Sequence, residues 1–220
     1  MITIPQAVET IIKEQPFISE ALAEGLINVS ALARKIKPDI EKILMKEIKH
    51  GAIVMALNRL NPQVEISLNR GIDKMISMLG DIIVRSDLSD YTYKNSDTLI
   101  QCHSKVFEMI APHQDTFYTL VRGVHESNLV ISSLHTNLVD EYFTHEVLHL
   151  KKENLSAITL KLHESNTQVP GFYYYILKAI AWEGINIAEV ISTSYEFTVL
   201  VNDEDVDRAF SVLNKLRKKK

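Results

Sequence analysis

The chain has 220 residues, 46% of them apolar, and carries 24 Lys and Arg against 28 Asp and Glu for a net charge of -4. At about 100 to 150 residues per domain, this is room for two or three small units that each bury a core. The near-balance of charge excludes a global field that would gather nucleic acid or an anionic membrane, and the single cysteine, Cys102, excludes an internal disulfide framework. No run approaches the ~20 apolar residues of a membrane helix, and the first residues lack a secretion-signal pattern, so a cytoplasmic location is expected.

Residues 1 to about 60 predict short helices, because apolar positions recur at spacings of three and four through Val8, Ile11 and Ile12, then Ile18, Ala21 and Leu22, then Leu32, Ala33 and Ile36. Gly25 suits a left-handed helix end and Ser30 an N-cap. Pro38 suits the first turn of a separate helix through Ile40, Ile43, Leu44 and Ile48, and a further helix runs from Gly51 to about Asn61-Pro62. The expected N-terminal domain, residues 1–62, is a helical bundle of helix-turn-helix-like type. A DNA-reading role for residues 17–48 is an alternative that charge does not favour. Residues 1–60 hold eight basic against seven acidic side chains, and Arg34-Lys35-Lys37 is their one basic cluster.

Residues 63–80 are transitional: Val64 to Leu68 alternates like a strand, while Ile72, Met75, Ile76 and Leu79 repeat like a helix ending at Gly80. From Asp81 the pattern is a strand over Ile82 to Lys94, a helix from Ser96 to Ile110, extended runs over 116–124 and 127–132, and a helix from Thr136. The same order follows in a strand over Leu155 to Leu162, a helix over 171–183, a hairpin over 185–201 and a last helix from Asp203. The best internal match pairs Phe143 with Phe210 at an offset of 67. The fold class expected is therefore α+β, with two β-α-β-β-α units in tandem at 63–150 and 151–220. The second ends in the basic tail Leu216-Arg217-Lys218-Lys219-Lys220.

His145-Glu146-Val147-Leu148-His149 is a literal H-E-x-x-H. On a helix it would put two imidazoles and a glutamate in the arrangement of a zinc peptidase, which makes His145 and His149 candidate metal ligands. The motif falls in a short connector between the two units, with no third ligand close behind it, so a plain linker is the favoured reading and metallopeptidase the less favoured alternative.

Within the last unit, Val169-Pro170-Gly171 opens an aromatic helix that ends at Gly184, followed by Ile185-Asn186-Ile187 and Ile191-Ser192-Thr193-Ser194. This order resembles the ACT domain, the ligand-sensing module of aspartokinases and related amino-acid enzymes. The resemblance implies two tandem ferredoxin-like ACT units and no cofactor or catalytic residue, with a small amino acid as effector and a homodimer as the assembly. By the same resemblance, the ligand site would be built from Ser165, Asn166, Gln168, Val169, Pro170, Gly171, Asn186 and Ile187. Helix-start N–H groups would receive the carboxylate, and Asn186 would supply donors and an acceptor. The middle unit lacks the Pro-Gly loop and is expected to keep the fold without the pocket. No strand follows the last helix, so Val64 to Leu68 or a partner chain is expected to complete the sheet. Nothing resembles a kinase catalytic domain. The segment from Phe17 to Ile36 resembles predicted ACT-containing regulators of amino-acid metabolism.

Overall fold

A computed structural model describes residues 2–60 and 71–218. Packing divides the chain into two units, Met1–Gly71 and Ile72–Lys220. No helix among the described residues is long and apolar enough to cross a membrane.

The first unit holds α1 (Ile4–Lys13), α2 (Pro16–Ala23), α3 (Val29–Leu44) and α4 (His50–Arg59). A capping box between Thr3 and Gln6 satisfies the first turn of α1. Gly25, at φ +72, lies just past α2 as expected. The core is one stripe from each of three helices: Val8, Ile11 and Ile12 from α1, Leu32, Ala33, Ile36 and Ile40 from α3, and Ile53, Ala56 and Leu57 from α4.

Two expectations are corrected here. The side chain of Asn28, not Ser30, caps α3 by accepting from Ala31 N–H at 3.0 Å, and Pro38 lies inside one continuous helix rather than opening a new one. An interior proline costs about 3 kcal/mol, but the stripe from Leu32 to Ile40 crosses it unbroken, and each buried aliphatic side chain contributes roughly 1.5–3 kcal/mol. Ser30 instead sits 3.0 Å from His50 Nε2. Helix α3 packs on α1 and α4, and α2 packs on α1.

The second unit begins with a helix whose described part is residues 71–77 (α5). It continues through β1 (Ile82–Lys94), α6 (Leu99–Ile110), β2 (Tyr118–Arg122), β3 (Glu126–Ser132) and α7 (Thr136–Tyr142), then β4 (Leu148–Lys161), α8 (Phe172–Trp182), β5 (Glu189–Ser192), β6 (Glu196–Asn202) and α9 (Val206–Lys218). The six strands form one antiparallel sheet in the order β2-β3-β1-β4-β6-β5. Alternation along the strands sends one set of side chains into two helix-covered cores. Tyr91, Tyr93, Leu129 and Ile131 meet Leu99, Val106 and Ile110 of α6, with Val139 and Phe143. Ile158, Leu160, Phe197 and Val199 meet Phe172, Ile176 and Ile180 of α8 and Ala209 and Leu213 of α9. Ile72, Met75, Ile76 and Leu79 join this second core, the one around β4, and not the core around β1. Leu88, Val130, Leu155, Ala157 and Leu200 face the other way, toward Phe117, Ala188 and Ile191.

The two halves lend each other a strand. Ile82–Arg85 of β1 pairs with Ala157–Leu160 of β4, beside β6, while Asp90–Tyr93 pairs with Lys152–Leu148, beside β3. The strand that the last helix fails to supply is thus the first half of β1; the expected alternative, Val64 to Leu68, lies outside the described residues. Both long strands bend at one residue in the left-handed region, Asp87 and Asn154, each at φ +56 and 67 positions apart. Asp and Asn are the non-glycine residues that tolerate this conformation best, and each marks a register shift between β1 and β4. Ser89 to Ser133 (2.9 Å) and Ser156 to Asp203 (2.6 Å) repeat the symmetry in hydrogen bonds. The spacing does not stay at 67. Glu126 and Glu196 open β3 and β6, and Thr136 and Val206 open α7 and α9, at a spacing of 70. Phe143 therefore corresponds to Leu213 rather than to Phe210, because the second copy gains residues between its first strand and its hairpin.

Candidate functional site

The loop from Leu162 to Gly171 closes one end of the β4 half. His163 accepts from Ser165 N–H at 3.3 Å through Nδ1, which also lies 2.7 Å from the Ser165 hydroxyl, and a short 3-10 turn over Glu164–Gln168 follows. Asn166 is buried, with 1% of its surface exposed. Its Nδ2 donates to the carbonyls of His163 and Ser194, both at 2.8 Å, and its Oδ1 accepts from the Tyr173 hydroxyl at 2.7 Å. Three of the four hydrogen bonds its amide can make are therefore held by the protein. Asn166 ties the loop to the β5–β6 turn and to α8, and it has little left to offer a ligand. Gln168 and Pro170 are exposed and Val169 half-buried. Gly171 caps α8 at φ +81, and a Cβ there would stand 3.3 Å from Ile72 Cδ1. Gly171→Ala should cost about 1–2 kcal/mol in a urea melt, since both the conformation and the close approach oppose a side chain.

Asn186 and Ile187 follow Gly184, which reverses the chain after α8 at φ +69. Asn186 is exposed, and Ile187 packs against the α8–α9 core. Ala188 N–H donates to Leu200 O at 2.7 Å, and Leu200 pairs with Ala157. The Asn166 end lies beside Glu196, which pairs with Lys161. Four residues of extended strand separate the two levels, on the order of 13 Å. The structure thus places Asn166 and Asn186 at opposite ends of one half, because the helix between their loops reverses direction over the length of the sheet.

The H-E-x-x-H segment is not helical: α7 ends at Tyr142 and β4 starts at Leu148. Extended backbone carries His149 away from His145, and its Nδ1 lies 2.7 Å from Glu126 Oε1. Glu146 turns to the start of α6, where it accepts from Ser96 Oγ (2.6 Å), Thr98 Oγ1 (2.7 Å) and Cys102 Sγ (3.6 Å). Burial pushes its pKa up, but these hydrogen bonds outweigh that and hold the carboxyl below its ordinary value. The zinc-peptidase geometry required two imidazoles stacked one helical turn apart, and strand formation removes it. Among the described residues no group of three or more His, Cys, Asp and Glu is placed to hold a metal ion.

The helix-free face of the sheet carries groups the sequence reading passed over. Thr119, Val130, Asp90 and Lys152 form one cross-strand row running from β2 to β4. Asp90 is 3% exposed and accepts from Asn128 Nδ2 at 2.6 Å. Burial raises its pKa, against the lowering effects of Asn128 and of Lys152 nearby. Lys152 Nζ donates to Ala188 O at 3.5 Å, at the start of β5. Glu189 is raised by its own burial and by the neighbouring Asp90, against the lowering effects of Val190 N–H and Lys152. A signal was present: Tyr91 and Tyr93 point to the helices, so period two puts Asp90 between Leu88 and Thr92 on the opposite face, where a strand charge is unusual. A shallow groove of about 250 Å³ at the end of α8, lined by Glu183, Asp207, Arg208, Ser211, Val212 and Lys215, contains none of the expected site residues.

No family model and no curated protein matches the chain. Solved structures do. Aspartate kinase from Clostridium acetobutylicum, described as an allosteric enzyme, aligns at a TM-score of 0.50 and 14% identity over 61% of this chain and 34% of the kinase chain. A structure of aspartokinase alpha and beta subunits aligns at 0.50 and 12% identity over 64% of this chain and 99% of the other. The regulatory subunit of aspartate kinase from Thermus thermophilus aligns at 0.49 and 10% identity, over 63% and 97%. The chain therefore spans about a third of the Clostridium enzyme, and what it has in common with that enzyme and with the aspartokinase alpha and beta subunits is a fold.

Proposed function

We propose that the Ile72–Lys220 unit is a non-catalytic regulatory module, a tandem pair of ferredoxin-like ACT units that binds a small amino acid, and that it works in the cytoplasm as a homodimer. The observation that carries this reading is the pair of β-α-β-β-α halves sharing one antiparallel sheet, in a fold held in common with the aspartate kinase of Clostridium acetobutylicum. An effector touching both halves would favour one arrangement of the sheet and bias whatever the module contacts, which is population shift through a differential affinity. Exposed Asn186, with donors and an acceptor free of the core, is the residue of the expected set best suited to meet a ligand. Asn166 and Gly171 shape their loop, and Ser165 is engaged with His163.

The test is thermal melting of the full chain with each of the twenty amino acids at millimolar concentration. One of them should raise the melting temperature, by the equivalent of about 2.7 kcal/mol at a hundredfold excess over its Kd, and Asn186→Ala should remove the effect if the expected loop set holds the ligand. A flat response to all twenty would sink the sensor reading.

A further inference from the structure

We propose that the helix-free face of the sheet holds a site for a zwitterionic amino acid, whose ammonium group is received by Asp90, Asn128 and Glu189 and whose carboxylate meets Lys152. The inference rests on the sensor reading and gives it an address other than the Pro-Gly loop.

The row Thr119–Val130–Asp90–Lys152 puts a buried carboxylate directly across the β1–β4 junction from a lysine. Glu189, at the start of β5, is close enough to both to feel their charges. Two carboxyl groups face one ammonium, so the cluster has room for one more positive charge. Its unused hydrogen-bonding capacity has the matching sign. Asn128 gives Nδ2 to Asp90, which leaves its Oδ1 buried with no partner among the described residues. An amide oxygen can only accept, so the missing partner is a donor. A primary ammonium brings three N–H groups and a charge. A neutral alcohol brings one donor and no charge, and an anion would be repelled by Asp90 and Glu189.

Lys152 decides between an amino acid and a simple amine. One of its donors reaches Ala188 O at 3.5 Å, and the others are available to a carboxylate on the ligand. The site also crosses the symmetry of the unit: Thr119, Asp90 and Asn128 belong to the first half, Ala188 and Glu189 to the second, and Lys152 to the strand that joins them. A ligand here contacts both halves at once, as a population shift requires.

The experiment is calorimetric titration of the full chain at pH 7.5 with the amino acid that melts highest in the screen, its decarboxylated amine and its N-acetyl derivative. The amino acid should bind best, the amine more weakly, and the N-acetyl derivative at least about tenfold more weakly, as loss of a charge-assisted hydrogen bond implies. Glu189→Gln and Asp90→Asn should each weaken the amino acid by about tenfold. Lys152→Met should weaken the amino acid toward its amine and leave the amine unchanged. Glu189 is only partly buried at a sheet edge, so its variant keeps the test decisive if Asp90→Asn fails to fold. Binding that persists undiminished in Glu189→Gln but vanishes in Asn186→Ala would overturn this site and leave the sensor reading standing. Equal binding of the N-acetyl derivative would also overturn it, and no binding by any ammonium compound would remove both.

Discussion

Acidification from pH 7 to pH 4 should cost the Ile72–Lys220 unit about 3 kcal/mol through one side chain, His103. His103 lies on the inner face of α6 with 5% of its surface exposed. Its Nδ1 is 2.9 Å from the Tyr118 hydroxyl, its ring meets the edge of Phe143 at 4.9 Å between centroids, and its Nε2 is buried without a partner among the described residues. Burial pushes the imidazole down to about 4, and the carboxylate of Glu146, pulling the other way, does not recover the difference. The folded protein therefore holds His103 neutral, while the unfolded chain takes up a proton below about 6.5. Unfolding gains a proton in that window, so stability falls as pH drops from 6.5 to 4 and levels off below. Urea melts at pH 7, 6, 5 and 4 should trace this decline, and His103→Gln, which keeps a hydrogen bond to Tyr118 within reach, should flatten it. A decline that survives unchanged in the variant would assign the effect elsewhere. Glu146 acts in a separate window. Its pKa is lowered, so its contribution is complete above the ordinary glutamate value of 4.5 and is lost only as pH falls through its folded value.

Asn166→Ala should destabilise the same unit by about 3 kcal/mol, or roughly 10 °C in melting temperature. The substitution strips partners from two part-buried carbonyls, those of His163 and Ser194, and from the Tyr173 hydroxyl. It also unties the loop before α8 from the β5–β6 turn. A side chain kept for ligand contact would behave in the opposite way, losing affinity with little change in the melting of the free protein. A stability change under 0.5 kcal/mol would show that Asn166 is no brace. Asn186→Ala, at an exposed position, should leave the melting of the free protein within that margin.

What could be read before folding was local. Spacings of three and four marked α1, the inner face of α3 and the run Ile72, Met75, Ile76, Leu79; β-branched and aromatic content marked β1, and alternation marked the second half of β4. Gly25 adopts the left-handed conformation expected of it, and Gly171 and Gly184 adopt it as well. The first half of β4 was missed because Leu148 and Leu150 are exposed and Lys151, Lys152 and Glu153 give no apolar rhythm; its identity as a strand comes from pairing with β1 more than fifty residues away. The exchanged fourth strand and the capture of Glu146 at α6 are non-local in the same sense. The motif from His145 to His149 misled because its chemistry presupposes a helix that local propensity did not decide. Asn166 and Asn186 looked like neighbours because they flank one helix, and the length of that helix is what parts them.

The paired long strands make the duplication indivisible. A fragment of residues 148–220 would leave the first half of β4 unpaired and its second half open on one side, and a fragment ending at residue 147 would do the same to β1. Either piece, expressed alone, would have the exposed edge that invites a second chain, and the partner that fits it best is another copy of itself in the same antiparallel register. The intact chain is in this sense a dimer made permanent by covalent linkage. Its two halves are expected to unfold together in a single urea transition, because each completes its sheet with a strand of the other.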